Sequence, residues 1–103
     1  MTFVVRYSAA ASDDLRRLYQ HLLERCTTVE ELAVAERALD AIEPAVEGLA
    51  QSPLIYRKAG KNPFLRELVI PFGHSGYVAL FEIEDAATVT ILAVRHHLED
   101  DYH

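Results

Sequence analysis

Side chains that could do chemistry are concentrated at the end of the chain, where Arg95 to His103 read RHHLEDDYH. Arg95, His96 and His97 could hold a phosphate and transfer a proton, and Tyr102 could add a phenol. Imidazoles and carboxylates also suit zinc or nickel, but no second group of ligands at a defined spacing accompanies them. We therefore predict neither a metal site nor a cofactor. The open hypotheses for this segment are a contact surface, a weak phosphate site, or internal ion pairs.

A second candidate is Arg66, near the start of an apolar run that reads FLRELVIPF from Phe64 to Phe72. Its planar guanidinium could contact a carboxylate or a phosphate of a partner in bidentate fashion. It could equally form an ion pair with Glu82 or Glu84 inside the protein, across the predicted sheet. The sequence leaves these two interpretations open.

The composition predicts one globular domain spanning residues 1–103, with 50% hydrophobic and 25% charged residues. The formal net charge of −6 argues against broad, sequence-independent nucleic-acid binding, which depends on Lys and Arg. Cys26 is the lone cysteine and cannot form an internal disulfide. No apolar run approaches the roughly 20 residues of a membrane helix, and the first residues lack the pattern of a signal peptide. We expect a cytoplasmic protein with no membrane segment.

Two amphipathic helices are predicted in the first half of the chain, after a short strand at residues 2–7. The first helix spans residues 9–25 with Ser8 as its N-cap, and the second begins after a Thr-x-x-Glu capping box at Thr28. The short connector between them predicts an antiparallel hairpin. Because Pro44 removes a backbone hydrogen bond, we predict that the second helix kinks or ends there.

Three antiparallel strands are predicted in the last third, at residues 64–72, 77–84 and 88–95, with residues 54–57 as a further short extended piece. Strict alternation divides the last strand into two faces: Val89, Ile91, Ala93 and Arg95 on one, and Thr88, Thr90, Leu92 and Val94 on the other. The N-terminal strand must join this meander, because a lone strand has no partner. The expected fold is therefore an α+β domain, in which the hairpin covers one face of one small sheet and a partner or loops cover the other.

Three short motifs occur along this order of elements: Arg66-Glu67-Leu68, Gly76-Tyr77, and Val94-Arg95-His96-His97 followed by Asp101-Tyr102. In this order and spacing they resemble the RelE/ParE toxin superfamily of bacterial type II toxin–antitoxin, or plasmid stabilisation, modules, over nearly the whole chain. The resemblance implies a small cytoplasmic toxin that inhibits growth and is neutralised by a cognate antitoxin, usually encoded beside it. The hairpin or a free sheet edge could receive an amphipathic helix or a strand of the antitoxin, and exposed apolar surface there also allows a homodimer.

The superfamily divides by target. In the RelE-like branch, which cleaves messenger RNA on the ribosome, an arginine typically follows the Gly-Tyr pair, and this chain has Val78 there. The remaining positions of such a nuclease could be filled by a depleted set: Arg66, Arg95, His96, His97 and Tyr102. ParE-like members lack the nuclease set and bind DNA gyrase. The resemblance therefore favours a ParE-like gyrase inhibitor that acts through protein contact at those residues and is not an enzyme. The alternatives are a ribosome-dependent mRNA endonuclease and a non-toxic homologue that only binds an antitoxin.

Overall fold

The order of elements along the chain is a strand, two helices and a group of strands, as the sequence predicts. The computed structural model describes residues 2–72 and 75–97. In chain order, these residues form β1 (Val4–Tyr7), α1 (Ala9–Glu24), α2 (Val29–Glu47), 3-10 helices at Gly48–Ala50 and Pro53–Ile55, β2 (Arg57–Lys58), β3 (Leu65–Phe72), β4 (Ser75–Ile83) and β5 (Thr88–His96).

The described strands form one mixed sheet in the order β1-β5-β4-β3-β2. β1 pairs in parallel with β5, from Val4 opposite Thr88 to Tyr7 opposite Ile91, while the other neighbours are antiparallel. A parallel pair needs a crossover connection, and the two helices supply it. The predicted α+β fold, in which the N-terminal strand joins the meander, is therefore confirmed.

The predicted extended piece at residues 54–57 is wrong for Leu54 and Ile55, whereas Tyr56 has an extended backbone and Arg57 lies in a strand. Pro53–Ile55 forms a 3-10 helix with Pro53 at its first position, where the fixed φ of proline fits and its missing N–H costs no hydrogen bond. The strand begins only at Arg57 and pairs with β3 over two residues. It adds a short fifth strand at the edge of the sheet.

Both helices begin at their predicted caps. The Ser8 hydroxyl accepts a hydrogen bond from the Ala11 N–H at 3.0 Å, and the Thr28 hydroxyl accepts one from the Glu31 N–H at 3.1 Å. The Glu31 carboxylate also turns back to Thr27, accepting from its N–H at 3.3 Å and from its hydroxyl at 3.1 Å. These bonds satisfy N–H groups that have no partner within the first turn of a helix.

Helix α2 continues through Pro44 to Glu47, so of the two predicted alternatives, a kink or an early end, the early end is excluded. Pro44 removes the hydrogen bond to the carbonyl of Asp40, and both residues are exposed. Water can therefore hydrate that carbonyl. The opposite side of the helix, with Ile42 and Val46, is buried and holds this stretch in helical form.

The core lies between the helical hairpin and one face of the sheet, with α1 against β5 and α2 against β3. Its buried members come from both helices, the first 3-10 helix and alternate positions of β3, β4 and β5: Ala11, Ala38, Ile42, Val46, Leu49, Leu68, Ile70, Tyr77, Ala79, Phe81, Ile83, Val89, Ile91 and Val94. The predicted apolar stripes of the two helices supply the hairpin's share of this core. We call the sheet face that the hairpin does not cover the open face.

A β-bulge interrupts the pairing of β4 with β5. Phe81 pairs with Ile91, but its neighbour Leu80 pairs with Ala93, which leaves Leu92 as an inserted residue. Past this point, each residue of β5 faces the side opposite to the one that uninterrupted alternation assigns to it.

The bulge corrects the predicted faces of β5. Val94 is buried in the core together with Val89 and Ile91, whereas Ala93 and Arg95 lie on the open face. The predicted grouping of Ala93 and Arg95 with Val89 and Ile91 is therefore wrong, because a strict period of two takes no account of an inserted residue.

Candidate functional site

Arg66 lies on the core side of β3, in register with Phe81. Its Nε donates to the carbonyl of Pro63 at 2.8 Å, and its Nη1 donates to the carbonyls of Leu54 at 3.0 Å and Tyr56 at 2.6 Å. Within the described residues it forms no ion pair, so of the two interpretations left open, the ion pair with Glu82 or Glu84 is wrong. Two of its three nitrogen atoms are therefore committed to closing the loop before β3.

Arg95 is exposed on the open face, in register with Val78 of β4. The two residues line a small cavity of about 100 Å³ together with Glu67, Leu80 and Ala93. Val78 stands where the nuclease branch carries an arginine, and only 5% of it is exposed. The position that would supply a second cation next to Arg95 is thus occupied by a buried aliphatic side chain.

Two other cations of the open face are neutralised by carboxylates. Arg6 lies 3.0 Å from Glu84, which also accepts a hydrogen bond from the Thr90 hydroxyl at 2.7 Å. Arg57 lies 2.9 Å from Glu67. The open face therefore carries both positive and negative charges. Unlike Arg6 and Arg57, Arg95 forms no ion pair with any of residues 2–72 and 75–97.

His96 faces the hairpin side of the sheet. Its ring meets that of Tyr77 edge to face, with centroids 5.7 Å apart and planes at 87°. Both line a cavity of about 470 Å³ that also contacts Cys26 in the connector between the helices. Burial raises the pKa of the Tyr77 phenol above its ordinary value. His97 follows the strand and is half-buried, while Tyr102 and the tail carboxylates lie outside the described residues.

The candidate residues Arg66, Arg95 and His96 do not lie together in the structure. Arg95 and His96 point to opposite faces because neighbouring residues of a strand alternate. Arg66 and Arg95 pair with positions 81 and 78 of β4, which are about 10 Å apart along a strand at roughly 3.3 Å per residue. These two arginines also lie on opposite faces, so they do not form one phosphate-binding cluster.

Two contacts at the outer edge of β5 were not found by sequence reasoning. The Ser8 hydroxyl donates to the carbonyl of Leu92 at 3.3 Å, and the Asp14 carboxylate accepts from the N–H of Val94 at 2.9 Å while it also pairs with Arg17. They cover the edge of β5 beyond the end of β1. No local signal predicts them, because both join residues about 80 positions apart.

A groove of about 660 Å³ between β1, α1 and α2 was also not predicted. Its walls are mainly apolar, and Glu43 and Glu47 of α2 lie at its rim. Burial and then the charges of these two carboxylates raise the pKa of the Tyr7 phenol, which lines the groove. The acidic rim of this groove could have been recognised from the sequence. Glu36, Asp40, Glu43 and Glu47 recur at the spacing that places residues on one face of a helix.

Residues 2–72 and 75–97 contain no group of three His, Cys, Asp or Glu side chains placed to hold a metal ion. No helix in this part of the chain is long and apolar enough to span a bilayer.

Comparison with known proteins gives consistent matches. A family model described as the ParE toxin of the type II toxin–antitoxin system parDE matches residues 5–101. Toxin RelE3 of Caulobacter vibrioides is 36% identical over 92% of this chain and 95% of its own length, and Toxin RelE1 of the same organism is 34% identical over 96% and 98%. A solved structure described as the chromosomal ParDE toxin–antitoxin system from P. aeruginosa shares the fold, with a TM-score of 0.71 at 19% identity over 92% of this chain and 96% of that one.

Proposed function

Because this chain belongs to the ParE toxin family of type II toxin–antitoxin systems, within the RelE/ParE superfamily, we propose that it inhibits DNA gyrase by direct protein–protein contact. A cognate antitoxin neutralises it. Gyrase acts on intracellular DNA, so the proposal places the toxin in the cytoplasm, where such a pair can stabilise a plasmid. The active unit is the single domain of residues 1–103.

The observation that carries this proposal is the separation of the cationic candidates. Stabilising the charge on a cleaved phosphate requires several donors that converge on one point. Arg66 is held by three carbonyls on the core side, Arg95 is on the open face, and Val78 fills the neighbouring position. Contact with a protein surface needs no such convergence, because one exposed arginine can anchor it.

The contact surface that we propose is the open face near the end of β5. Arg95 is its central residue, and His97, two residues further along the chain, is a further proposed contact. The pair of Arg57 with Glu67 lies beside Arg95, and the pair of Arg6 with Glu84 lies farther along the sheet. Together they give the open face mixed charge, which suits a protein better than a polyanion.

A supercoiling assay with purified gyrase and relaxed plasmid tests the proposal directly. The toxin should block supercoiling and trap the cleavage complex. Arg95→Glu should raise the inhibitory concentration by about tenfold, because a contact charge is reversed. Arg37→Glu, the same charge change at an exposed position of α2, should leave inhibition unchanged. A toxin that arrests growth but leaves gyrase active would overturn the proposal.

A second candidate is a ribosome-dependent mRNA endonuclease, since the two similar Caulobacter proteins carry RelE names. In that case Arg66, Arg95, His96 or His97, and Tyr102 would act on the message, and Arg95→Ala would abolish toxicity. Mapping the 5′ ends of translated messages in poisoned cells distinguishes the two candidates. New ends within codons would support the endonuclease, and intact messages would exclude it.

The third candidate is a homologue without toxicity that only binds an antitoxin. Induced expression of the chain in the absence of any antitoxin separates it from the first two. Growth arrest excludes this candidate, whereas unimpaired growth at a confirmed protein level supports it.

A further inference from the structure

The last part of β5 extends beyond the strand that pairs with its outer edge. β1 pairs with β5 as far as Tyr7 opposite Ile91, whereas β5 continues to His96. Within residues 2–72 and 75–97, the stretch of β5 from Leu92 onward therefore has a neighbouring strand on the β4 side alone. A strand end that is paired on one side opens more easily than a strand that is paired on both.

Two side chains at the start of α1 take the place of a strand along this edge. The Ser8 hydroxyl donates to the carbonyl of Leu92 at 3.3 Å, and Oδ2 of Asp14 accepts from the N–H of Val94 at 2.9 Å. A neighbouring strand would offer the same kinds of group, one donor and one acceptor, to the backbone. The segment that follows the bulge is therefore held by β4 on its inner edge and by α1 on its outer edge.

This contact distinguishes Asp14 from its neighbour Asp13. Each forms an ion pair with the arginine three residues later, Asp13 with Arg16 and Asp14 with Arg17. The side chain of Asp13 is 59% exposed, whereas that of Asp14 is 13% exposed and reaches the backbone of β5. Because surface pairs of this kind contribute little to stability, the distinctive interaction of Asp14 is its bond to Val94.

The charge of Asp14 is compensated by Arg17 and not by Arg95. Oδ1 of Asp14 accepts from Arg17, and Oδ2 accepts from the N–H of Val94. Arg95 lines the same cavity of about 560 Å³ between α1 and the edge of β5, but it forms no ion pair with any of residues 2–72 and 75–97. Asp14 therefore holds the backbone next to Arg95 without engaging its guanidinium.

The backbone that this bond fixes is the one that carries Arg95. Val94 is 2% exposed, so core packing holds its side chain on one face while Asp14 holds its N–H at the outer edge. Arg95 follows directly and projects to the opposite face. A side chain on a backbone that is already ordered loses less conformational entropy when it binds, which raises affinity without any new contact.

We infer that Asp14 is a positioning residue for Arg95. By holding the end of β5 as a strand would, it presents the Arg95 guanidinium to the protein that the toxin inhibits, and Ser8 supports the same segment. The inference rests on the proposed function, in which Arg95 is the central contact with gyrase. Asp14 itself contributes no contact to the partner.

Amide hydrogen exchange of the free toxin tests the hold on β5. In Asp14→Ala, the Val94 amide should exchange at least about tenfold faster than in the unmodified toxin, because it loses its acceptor. Asp13→Ala removes the matching ion pair with Arg16 and should leave this exchange unchanged. Asp14→Asn keeps an oxygen that can accept the bond and should restore most of the protection. Equal exchange of the Val94 amide in the two alanine variants would overturn the inference.

A double-mutant cycle in the gyrase supercoiling assay tests whether Asp14 acts through Arg95. In the toxin that retains Arg95, Asp14→Ala should raise the inhibitory concentration by about fivefold. In an Arg95→Ala background the same change should have less than about a twofold effect, since no guanidinium is left to position. A residue that served the fold alone would weaken inhibition equally in both backgrounds, and that result would overturn the inference. Urea denaturation confirms that each variant is folded.

Failure of this inference can be told apart from failure of the proposed function. An unmodified toxin that leaves gyrase active would overturn the proposed function, whereas the exchange of the Val94 amide is measured without gyrase. A toxin whose inhibition of gyrase depends on Arg95 but not on Asp14 would leave the proposed function intact and overturn the inference. Asp14→Asn should inhibit nearly as well as the unmodified toxin, and a loss as large as that of Asp14→Ala would exclude the hydrogen bond to Val94 as the cause.

Discussion

Arg66 stabilises the loop before β3 through a guanidinium that no other side chain can replace. It donates to the carbonyls of Leu54, Tyr56 and Pro63, and these acceptors lie in a geometry that suits a planar fork. We expect Arg66→Ala to lower the free energy of unfolding by about 2 kcal/mol, because acceptors lose a charged donor. Arg66→Lys should restore only part of this loss. Urea denaturation measures both.

Arg57→Ala is the matched control for this prediction. Arg57 is also a cation near the same loop, but it is exposed and forms a surface ion pair with Glu67. Such pairs contribute about 0–1 kcal/mol. A loss for Arg66→Ala no larger than that for Arg57→Ala would contradict the structural role of Arg66.

Gly76 is required by the backbone at the start of β4, where it pairs with Pro71. Its φ of 147° lies in the region that favours glycine, and a Cβ there would clash with the carbonyl oxygen of Ile70 and lie 3.0 Å from the nitrogen of Phe72. We expect Gly76→Ala to destabilise the fold by about 3 kcal/mol or more, which thermal denaturation would detect. Gly48→Ala, where a Cβ meets nothing within 4 Å, should be neutral or slightly stabilising. Equal effects would contradict the prediction.

Because of Tyr7, the free energy of unfolding should depend on pH in the alkaline range. Burial first, and then Glu43 and Glu47, raise the pKa of its phenol above the ordinary value of 10.0. The folded state therefore holds the proton more tightly than the unfolded state, and the free energy of unfolding falls as pH rises through about 10 toward the folded-state pKa. Tyr7→Phe should reduce this fall in urea denaturation between about pH 8 and 11. Tyr77 acts in the same direction, so an unchanged fall in a Tyr7→Phe, Tyr77→Phe double variant would contradict the account.

Pro44 shows how an α-helix can continue through a proline, which disfavours helical structure. α2 continues past the proline because the freed carbonyl is on the exposed side and the buried side keeps its contacts. The proline still costs helical stability, so Pro44→Ala should raise the free energy of unfolding by about 1–3 kcal/mol in urea denaturation. Pro53→Ala should have the opposite sign, because Pro53 is buried at the first position of a 3-10 helix. A loss of stability with Pro44→Ala would contradict this reasoning.

Among the helices and strands, the features that depend on residues close together in the sequence were predicted correctly. The caps at Ser8 and Thr28 and the apolar stripes specify both helices, since each depends on residues within a few positions of one another. The bulge at Leu92 carries no such signal. It depends on how β4 and β5 fit together, so the predicted face of Arg95 was wrong. The strand at Arg57 is similarly defined by its pairing with β3 and not by its own residues.

At the scale of the molecule, the fold was predictable but the arrangement of the candidate site was not. A sequence places Arg95 and His96 side by side, whereas a sheet sends them to opposite faces. Arg66 looks available in the sequence, but its acceptors come from a loop whose path no periodicity describes. The spacing of Glu36, Asp40, Glu43 and Glu47 predicts an acidic stripe on α2, but not that β1 and α1 form a groove beside it.

The end of the sheet opposite the helical connector leads to a prediction about assembly. Leu54, Ile55 and Phe64 are 57%, 75% and 53% exposed, and Leu54 and Phe64 share a cavity of about 540 Å³ with Phe3. Grouped apolar side chains of this size favour contact with another surface, so we expect a weak homodimer at high concentration. Sedimentation equilibrium should show it.

Substitution at this end identifies the surface responsible. Phe64→Ser should raise the dissociation constant of the dimer by about tenfold, since burying a phenylalanine contributes roughly 1.5–3 kcal/mol. Val29→Ser removes a side chain that is 79% exposed at the start of α2 and should leave the dimer unchanged. A monomer at every concentration, or a dimer that is lost equally in both variants, would rule out this surface.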